Sequence, residues 1–235
     1  MPTIAFDRAA ANYSGRQILH PTTLSLTERR IGIIGENGGG KSTLVRLING
    51  LGSVTGGTVT YDGMNVAKQA KEVRKKVGFI FSDADNQIVM PTVAEDIAFS
   101  LRKRKLPKDE RDRLVHGALE RFGLADHADT SPHLLSGGQK QLLALAAVLI
   151  LNPSTIIADE PTTLLDLRNR LHIRNIFAQL EQQLIVVTHD LDFITDFDRV
   201  IRVSAGEIVD DGAPEPVIDR YVRDMTRAAR AEEDH

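Results

Sequence analysis

The chain has 235 residues, 42% apolar and 26% charged, a formal net charge of −3 and no cysteine. That length holds one large α/β domain or two small ones, and the composition is ordinary for a globular protein. The charge gives no global pull toward nucleic acid or an anionic membrane, and the missing thiols exclude disulfides and thiolate metal sites.

From the N-terminus, Met1 to Arg8 has no basic stretch running into an apolar one, so no secretory signal is read there. Ile31-Gly32-Ile33-Ile34 reads as a buried strand, and Lys41 to Asn49 as the helix after it, stopped by Gly50. Thr58 to Tyr61 reads as a strand running into an Asp62-Gly63 turn. Val77 to Phe81, Thr155 to Ala158 and Leu184 to Val187 are further apolar strands. Ile201 to Val203 and Glu207 to Val209, around Ser204-Ala205-Gly206, suggest a hairpin. Such alternation predicts an α/β fold with a largely parallel sheet.

Residues 85–152 differ, with helical periodicity and almost no strand signal. Thr92 with Glu95, and Ser136 with Gln139, fit the S/T-x-x-E/Q capping box, and Asn152-Pro153 ends the second helix. The expected organisation is one domain. Residues 1–84 and 153–220 form the core with a β subdomain, 85–152 an inserted helical subdomain, and 221–235 a short tail with a frayed end at Glu232 to His235. The longest apolar run, Leu142 to Leu151, is shorter than the roughly 20 residues a membrane span needs. The expectation is a soluble, cytosolic chain.

Three runs carry chemistry. Gly35-Glu36-Asn37-Gly38-Gly39-Gly40-Lys41-Ser42-Thr43 fits the phosphate-binding pattern G-x-x-x-x-G-K-[ST] between a strand and a helix. Its glycines let backbone N–H groups face a phosphate chain, and the helix start adds its positive end. Lys41 is expected on the β- and γ-phosphates and Ser42 on Mg²⁺. Ile156-Ile157-Ala158-Asp159-Glu160 is an apolar strand ending in two acids, Asp159 suited to Mg²⁺ and Glu160 to polarising an attacking water as general base. Leu135-Ser136-Gly137-Gly138-Gln139 is a second helix start built for an anion.

Together and in this order, these runs resemble the ABC-type ATPases over nearly the whole chain, from about Ile4 to Val217. The resemblance implies a P-loop NTPase fold: a RecA-like parallel core, an antiparallel β subdomain and an inserted helical subdomain. It places Tyr13 on adenine and makes Pro161-Thr162-Thr163-Leu164-Leu165-Asp166 the D-loop, which talks across a dimer. In Thr188-His189-Asp190, His189 is the switch histidine at the γ-phosphate. It also makes Leu135 to Gln139 the signature, which closes on the ATP of a second nucleotide-binding domain, most simply another copy of this chain. One position departs from the pattern. After Val77 to Phe81 the family places a glutamine that senses Mg²⁺ and the transport partner, and this chain has Ser82, with Gln87 five residues on.

Asp85-Asn86-Gln87 and Met90 to Phe99 resemble the energy-coupling-factor importers. There this region receives coupling helices of a separate transmembrane subunit, and a third membrane chain binds the substrate. The whole chain is most similar to the biotin-specific ATPases, then to the cobalt and nickel ones, which implies a peripheral place on the cytoplasmic membrane face and no nucleic-acid partner. The rival class is a soluble ABC ATPase of repair or translation, which one cassette without sustained heptads does not favour. A P-loop kinase would leave Ser136 to Gln139 unexplained. Arg102-Lys103-Arg104-Lys105 reads as a solvated helix C-terminus, with lipid headgroups or a partner as the alternative. The short tail implies few dimer contacts outside the ATP sites.

Overall fold

The computed structural model describes residues 1–163 and 165–233; the D-loop residue Leu164 and the terminal Asp234 and His235 lie outside them. Two sheets form the frame. Strands β1 (Ile4–Tyr13), β2 (Arg16–Leu26), β4 (Gly56–Tyr61) and β5 (Met64–Asn65) make an antiparallel sheet in the order β2-β1-β4-β5. Strands β3 (Arg30–Ile34), β6 (Val77–Ile80), β7 (Thr155–Asp159), β8 (Gln183–Val187), β9 (Arg199–Ser204) and β10 (Glu207–Gly212) make a six-stranded sheet in the order β10-β9-β3-β8-β7-β6. All its pairings are parallel except β9 with β10.

The period-2 alternation of the central strands sorts two cores. Ile31 and Ile33 of β3, Ile157 of β7, Ile185 and Val187 of β8, and Ile201 and Val203 of β9 face one side. They meet the antiparallel sheet and helices α1 (Lys41–Ile48) and α2 (Val66–Val73). Ile34, Ile156, Ala158, Leu184, Val186 and Val200 face the other. They lie under helices α3 (Val93–Ser100), α5 (Gly137–Leu149), α6 (Leu167–Ala178) and α7 (Pro214–Glu233). At Gly78 of β6 a Cβ would stand 2.4 Å from Val148 Cγ1, so α5 packs directly on the strand. Every regular element between β6 and β7 is helical, including α4 (Lys108–Arg121).

A buried polar chain ties the sheets. Thr155 Oγ1 donates to Gln183 Oε1 at 3.0 Å, so the Tyr61 hydroxyl, 2.9 Å away, donates to Thr155. Burial pushes the Tyr61 phenol up, which keeps it a donor. Tyr61→Phe is expected to cost about 1–2 kcal/mol in urea unfolding, the usual loss for a buried hydroxyl partner. An unchanged midpoint would show that Tyr61 holds the sheets by packing alone.

The structure departs from the sequence reading at several elements. The tail is the second half of α7, which runs to Glu233; the rest of the expected frayed end, Asp234 and His235, lies outside the described residues. At Thr92 only half a capping box forms. Thr92 Oγ1 accepts the Glu95 N–H at 3.3 Å, but the Glu95 carboxylate takes the Thr92 hydroxyl proton instead of the Thr92 N–H. The basic run does not cap its own helix alone: Arg102 stacks on Phe99, and Arg104 donates to the Leu151 carbonyl beyond the end of α5. Among the described residues no helix is long and apolar enough to cross a membrane.

Candidate active site

The C-terminal edges of β3, β7 and β8 bring the chemistry together. After β3 the loop 35–40 wraps under the β9–β10 turn. Gly35 has φ +140°, and a Cβ there would stand 1.9 Å from the Val203 carbonyl oxygen, so only glycine fits. The Gly206 N–H donates to the Gly39 carbonyl at 2.9 Å and fixes the loop from outside. Asn37, Gly38, Gly39, Gly40, Lys41, Ser42 and Thr43 line one cavity of about 320 Å³, together with Ile18, Glu160 and His189.

Lys41 opens α1 and is nearly buried. Its Nζ donates to the carbonyls of Gly35 at 2.7 Å and Glu36 at 2.9 Å. Burial pushes its pKa down, against the opposing pull of Glu160, Asp159 and Glu36. The Ser42 hydroxyl donates to Asp159 Oδ1 at 2.9 Å, and Arg46 Nη2 stands 3.5 Å from the other oxygen of that buried carboxylate. Sequence reasoning missed Arg46, since it lies one helical turn beyond the motif with no spacing signal of its own.

Glu160 sits in a left-handed backbone conformation, φ +56°, and its N–H donates to Val187 O at 2.8 Å. Strain of that kind concentrates at functional positions. Oε2 accepts the His189 N–H at 3.2 Å and the Thr163 hydroxyl at 3.3 Å. Oε1 stands 3.2 Å from His189 Nε2 without an aligned hydrogen bond. Burial raises the Glu160 pKa, outweighing the lowering by His189 and Lys41. A carboxylate kept basic in this way, facing a phosphate cradle, is equipped to accept a proton. His189 Nε2 also lies 3.4 Å from Lys41 Nζ, so one ring touches the acid and the cation. Behind it Arg170 of α6 donates Nε and Nη2 to Asp190 Oδ2, at 3.1 and 2.6 Å.

The other sequence-derived residues fall around this centre. Tyr13 ends β1, is 76% exposed, and lines a second cavity of about 490 Å³ with Ile18, Thr43 and Arg46, so an adenine-sized ring has room beside it. Asp166 is the N-cap of α6 and accepts the Asn169 N–H at 2.8 Å. Ser82 follows β6 and is not in the lining of the phosphate cavity. Gln87 turns back, its Oε1 accepting the Phe81 N–H at 3.3 Å, so its side chain braces the loop.

Ser136 N-caps α5 with a complete capping box, accepting the Gln139 N–H at 3.3 Å while Gln139 Oε1 accepts the Ser136 N–H at 2.9 Å. Gly138 packs under α6, where a Cβ would meet Asn169 Nδ2 at 2.3 Å. Leu134 beside this helix start is 79% exposed. None of Leu135 to Gln139 lines the phosphate cavity.

Comparison with known proteins agrees with this geometry. A sequence profile of the family described as ABC transporter matches residues 19–163. The chain is 48% identical over 226 residues to a putative ABC transporter ATP-binding protein of Bartonella henselae, covering 96% of this chain and all of that one. It is 45% identical to the biotin transport ATP-binding protein BioM of Rhizobium etli, over 93% of this chain and 97% of the other. It is 40% identical to the energy-coupling factor transporter ATP-binding protein EcfA1 of Ligilactobacillus salivarius, over 91% and 79%. Among solved structures it resembles cbiO1 of Clostridium perfringens, part of the ABC transporter complex cbiONQ. That match has a TM-score of 0.80 and 31% identity, and covers 93% of this chain and 92% of the other.

Proposed function

The chain belongs to the ABC transporter family as an ATPase of the energy-coupling-factor type, and from that premise we propose that it powers biotin uptake through separate transmembrane subunits. One observation carries the mechanism: the Ser136 receptor has no place in the chain's own phosphate cavity. Two chains then close head to tail, each ATP lying between the P-loop of one and Ser136 to Gln139 of the other.

In this reading Tyr13 stacks on adenine, Asn37 to Thr43 cradle the phosphates, and Lys41 leaves its two carbonyls for the β- and γ-oxygens. Glu160 accepts the proton of the attacking water, and His189, in contact with both Glu160 and Lys41, senses the γ-phosphate. Ser42 and Asp159 present a hydroxyl and a carboxylate oxygen side by side, a hard-oxygen pair suited to Mg²⁺ with phosphates completing the shell. Bound there, the ion would neutralise charge on the β- and γ-phosphates.

The membrane partner docks on the helical subdomain. A groove of about 460 Å³ runs between Ile88, Val89, Met90 and Pro91 on one side and Pro132, His133 and Lys140 on the other. Asp96, buried in α3, holds its rim by accepting the N–H groups of Val89 at 2.8 Å and Met90 at 3.0 Å. Lys140, the residue after Gln139, pairs with Asp85 at 2.7 Å, so the groove wall leads into the signature helix.

Biotin rests on the BioM relatives, 45% and 39% identical; the sequence resemblance keeps a cobalt or nickel importer as the second reading. Purification of the tagged chain from detergent-solubilised membranes tests both. A co-purifying transmembrane protein and a loss of biotin uptake on deletion are expected. A loss of cobalt or nickel uptake instead selects the second reading, and recovery only in a membrane-free pool on DNA or ribosomes contradicts both.

A further inference from the structure

The complete capping box at Ser136 depends on which way one amide points. Gln139 Oε1 accepts the Ser136 N–H at 2.9 Å, so the carbonyl end of the side-chain amide is committed to the helix start. The amide nitrogen therefore faces away, and it lies 2.8 Å from Nε2 of His127. An amide NH₂ only donates, so at this distance His127 Nε2 must accept. That requires a neutral ring carrying its proton on Nδ1. His127 closes the short turn Ala125–His127 that follows α4, twelve residues before Gln139, and it plays no part in the ATPase roles assigned above.

We propose that His127 is a positioning residue for the Ser136 phosphate receptor. It holds the Gln139 amide in the one orientation that completes the capping box. The consequence reaches the serine hydroxyl. Ser136 Oγ accepts the Gln139 backbone N–H at 3.3 Å, which leaves its own proton free for an incoming anion. Reversing the Gln139 amide would set an NH₂ against the Ser136 N–H, two donors facing each other, and the box would open. A donor at His127 Nε2 would force that reversal. The inference rests on the proposed role of Ser136 as receptor for the neighbouring chain's ATP, but its structural half stands on the single chain.

The test separates the two. In the nucleotide-free chain, nitrogen-15 NMR of the imidazole is expected to report the Nδ1–H tautomer of His127. Amide exchange at Ser136 is expected to speed up about fivefold in His127→Ala, the usual worth of a helix cap. His127→Gln keeps an acceptor at this position and is expected to restore protection, while His127→Lys, a pure donor, is expected to be worse than Ala. The second readout is the Mg-ATP concentration giving half-maximal dimer in a Glu160→Gln background. It is expected to rise about fivefold in His127→Ala and to recover in His127→Gln. An Nε2–H tautomer, or Gln no better than Ala at Ser136, overturns the inference in a folded monomer, and so does Lys matching Ala there. Altered exchange with unaltered dimerisation retains the amide clamp and contradicts the receptor role of Ser136 instead.

Discussion

Glu160→Gln is expected to lower ATP turnover by about 10²–10⁴-fold, the usual contribution of a positioned proton acceptor, while leaving ATP binding in place. The amide is isosteric, keeps a carbonyl oxygen for the His189 N–H and the Thr163 hydroxyl, and loses only the ability to take a proton. The same buried carboxylate has a stability signature. Its folded pKa is raised by burial, so the folded chain binds more protons than the unfolded one above the ordinary glutamate value of 4.5. Stability contributed by Glu160 is therefore full at low pH and lost as pH rises from that value through the raised one. Glu160→Gln removes this loss, so its urea midpoint is expected to fall less than that of the wild type as pH rises above 4.5. Single-turnover hydrolysis and paired unfolding curves check both. Turnover close to wild type removes Glu160 from the proton-accepting role.

Lys41→Ala is expected to weaken ATP binding by about 10²–10⁴-fold, the loss of two charge-assisted hydrogen bonds at roughly 1.5–3 kcal/mol each. The ammonium waits on the carbonyls of Gly35 and Glu36 inside the cavity the phosphates would fill. Its pKa is lowered by burial, so the chain already bears a desolvation cost that an anion relieves. Fluorescent-nucleotide titration measures the change. An unchanged dissociation constant would sink the assignment of this loop.

What the sequence made legible was local. The P-loop, the two acids after β7 and the Ser136 cap are each written within a few consecutive residues, and the parallel strands announce themselves as short apolar runs. β1 and β2 escaped notice because their pattern is broken: register shifts interrupt the pairing, and Arg8, at φ +44°, sits in one of them. The second half of α7 was read as a tail; the helix opens at Pro214, and proline is tolerated in a first helical turn. Val217, Ile218 and Tyr221 then pin one face to the core. The rest of the site was illegible for a third reason. Arg46 against Asp159, Arg170 against Asp190 and His127 against Gln139 are meetings of side chains that only the folded chain brings within reach. Family membership and ATPase activity were readable as a resemblance, and the comparisons established them.

The central claim is that a complete site exists only between two chains. Light scattering of the Glu160→Gln chain with saturating Mg-ATP tests it most directly. The expected mass is about double the 25.9 kDa of one chain, returning to the single-chain value without nucleotide. Adding Ser136→Arg, which puts a long side chain where the neighbour's phosphate would sit, should hold the mass at one chain while ATP still binds. A Glu160→Gln chain saturated with ATP yet monomeric, or a dimer that survives Ser136→Arg, would contradict it.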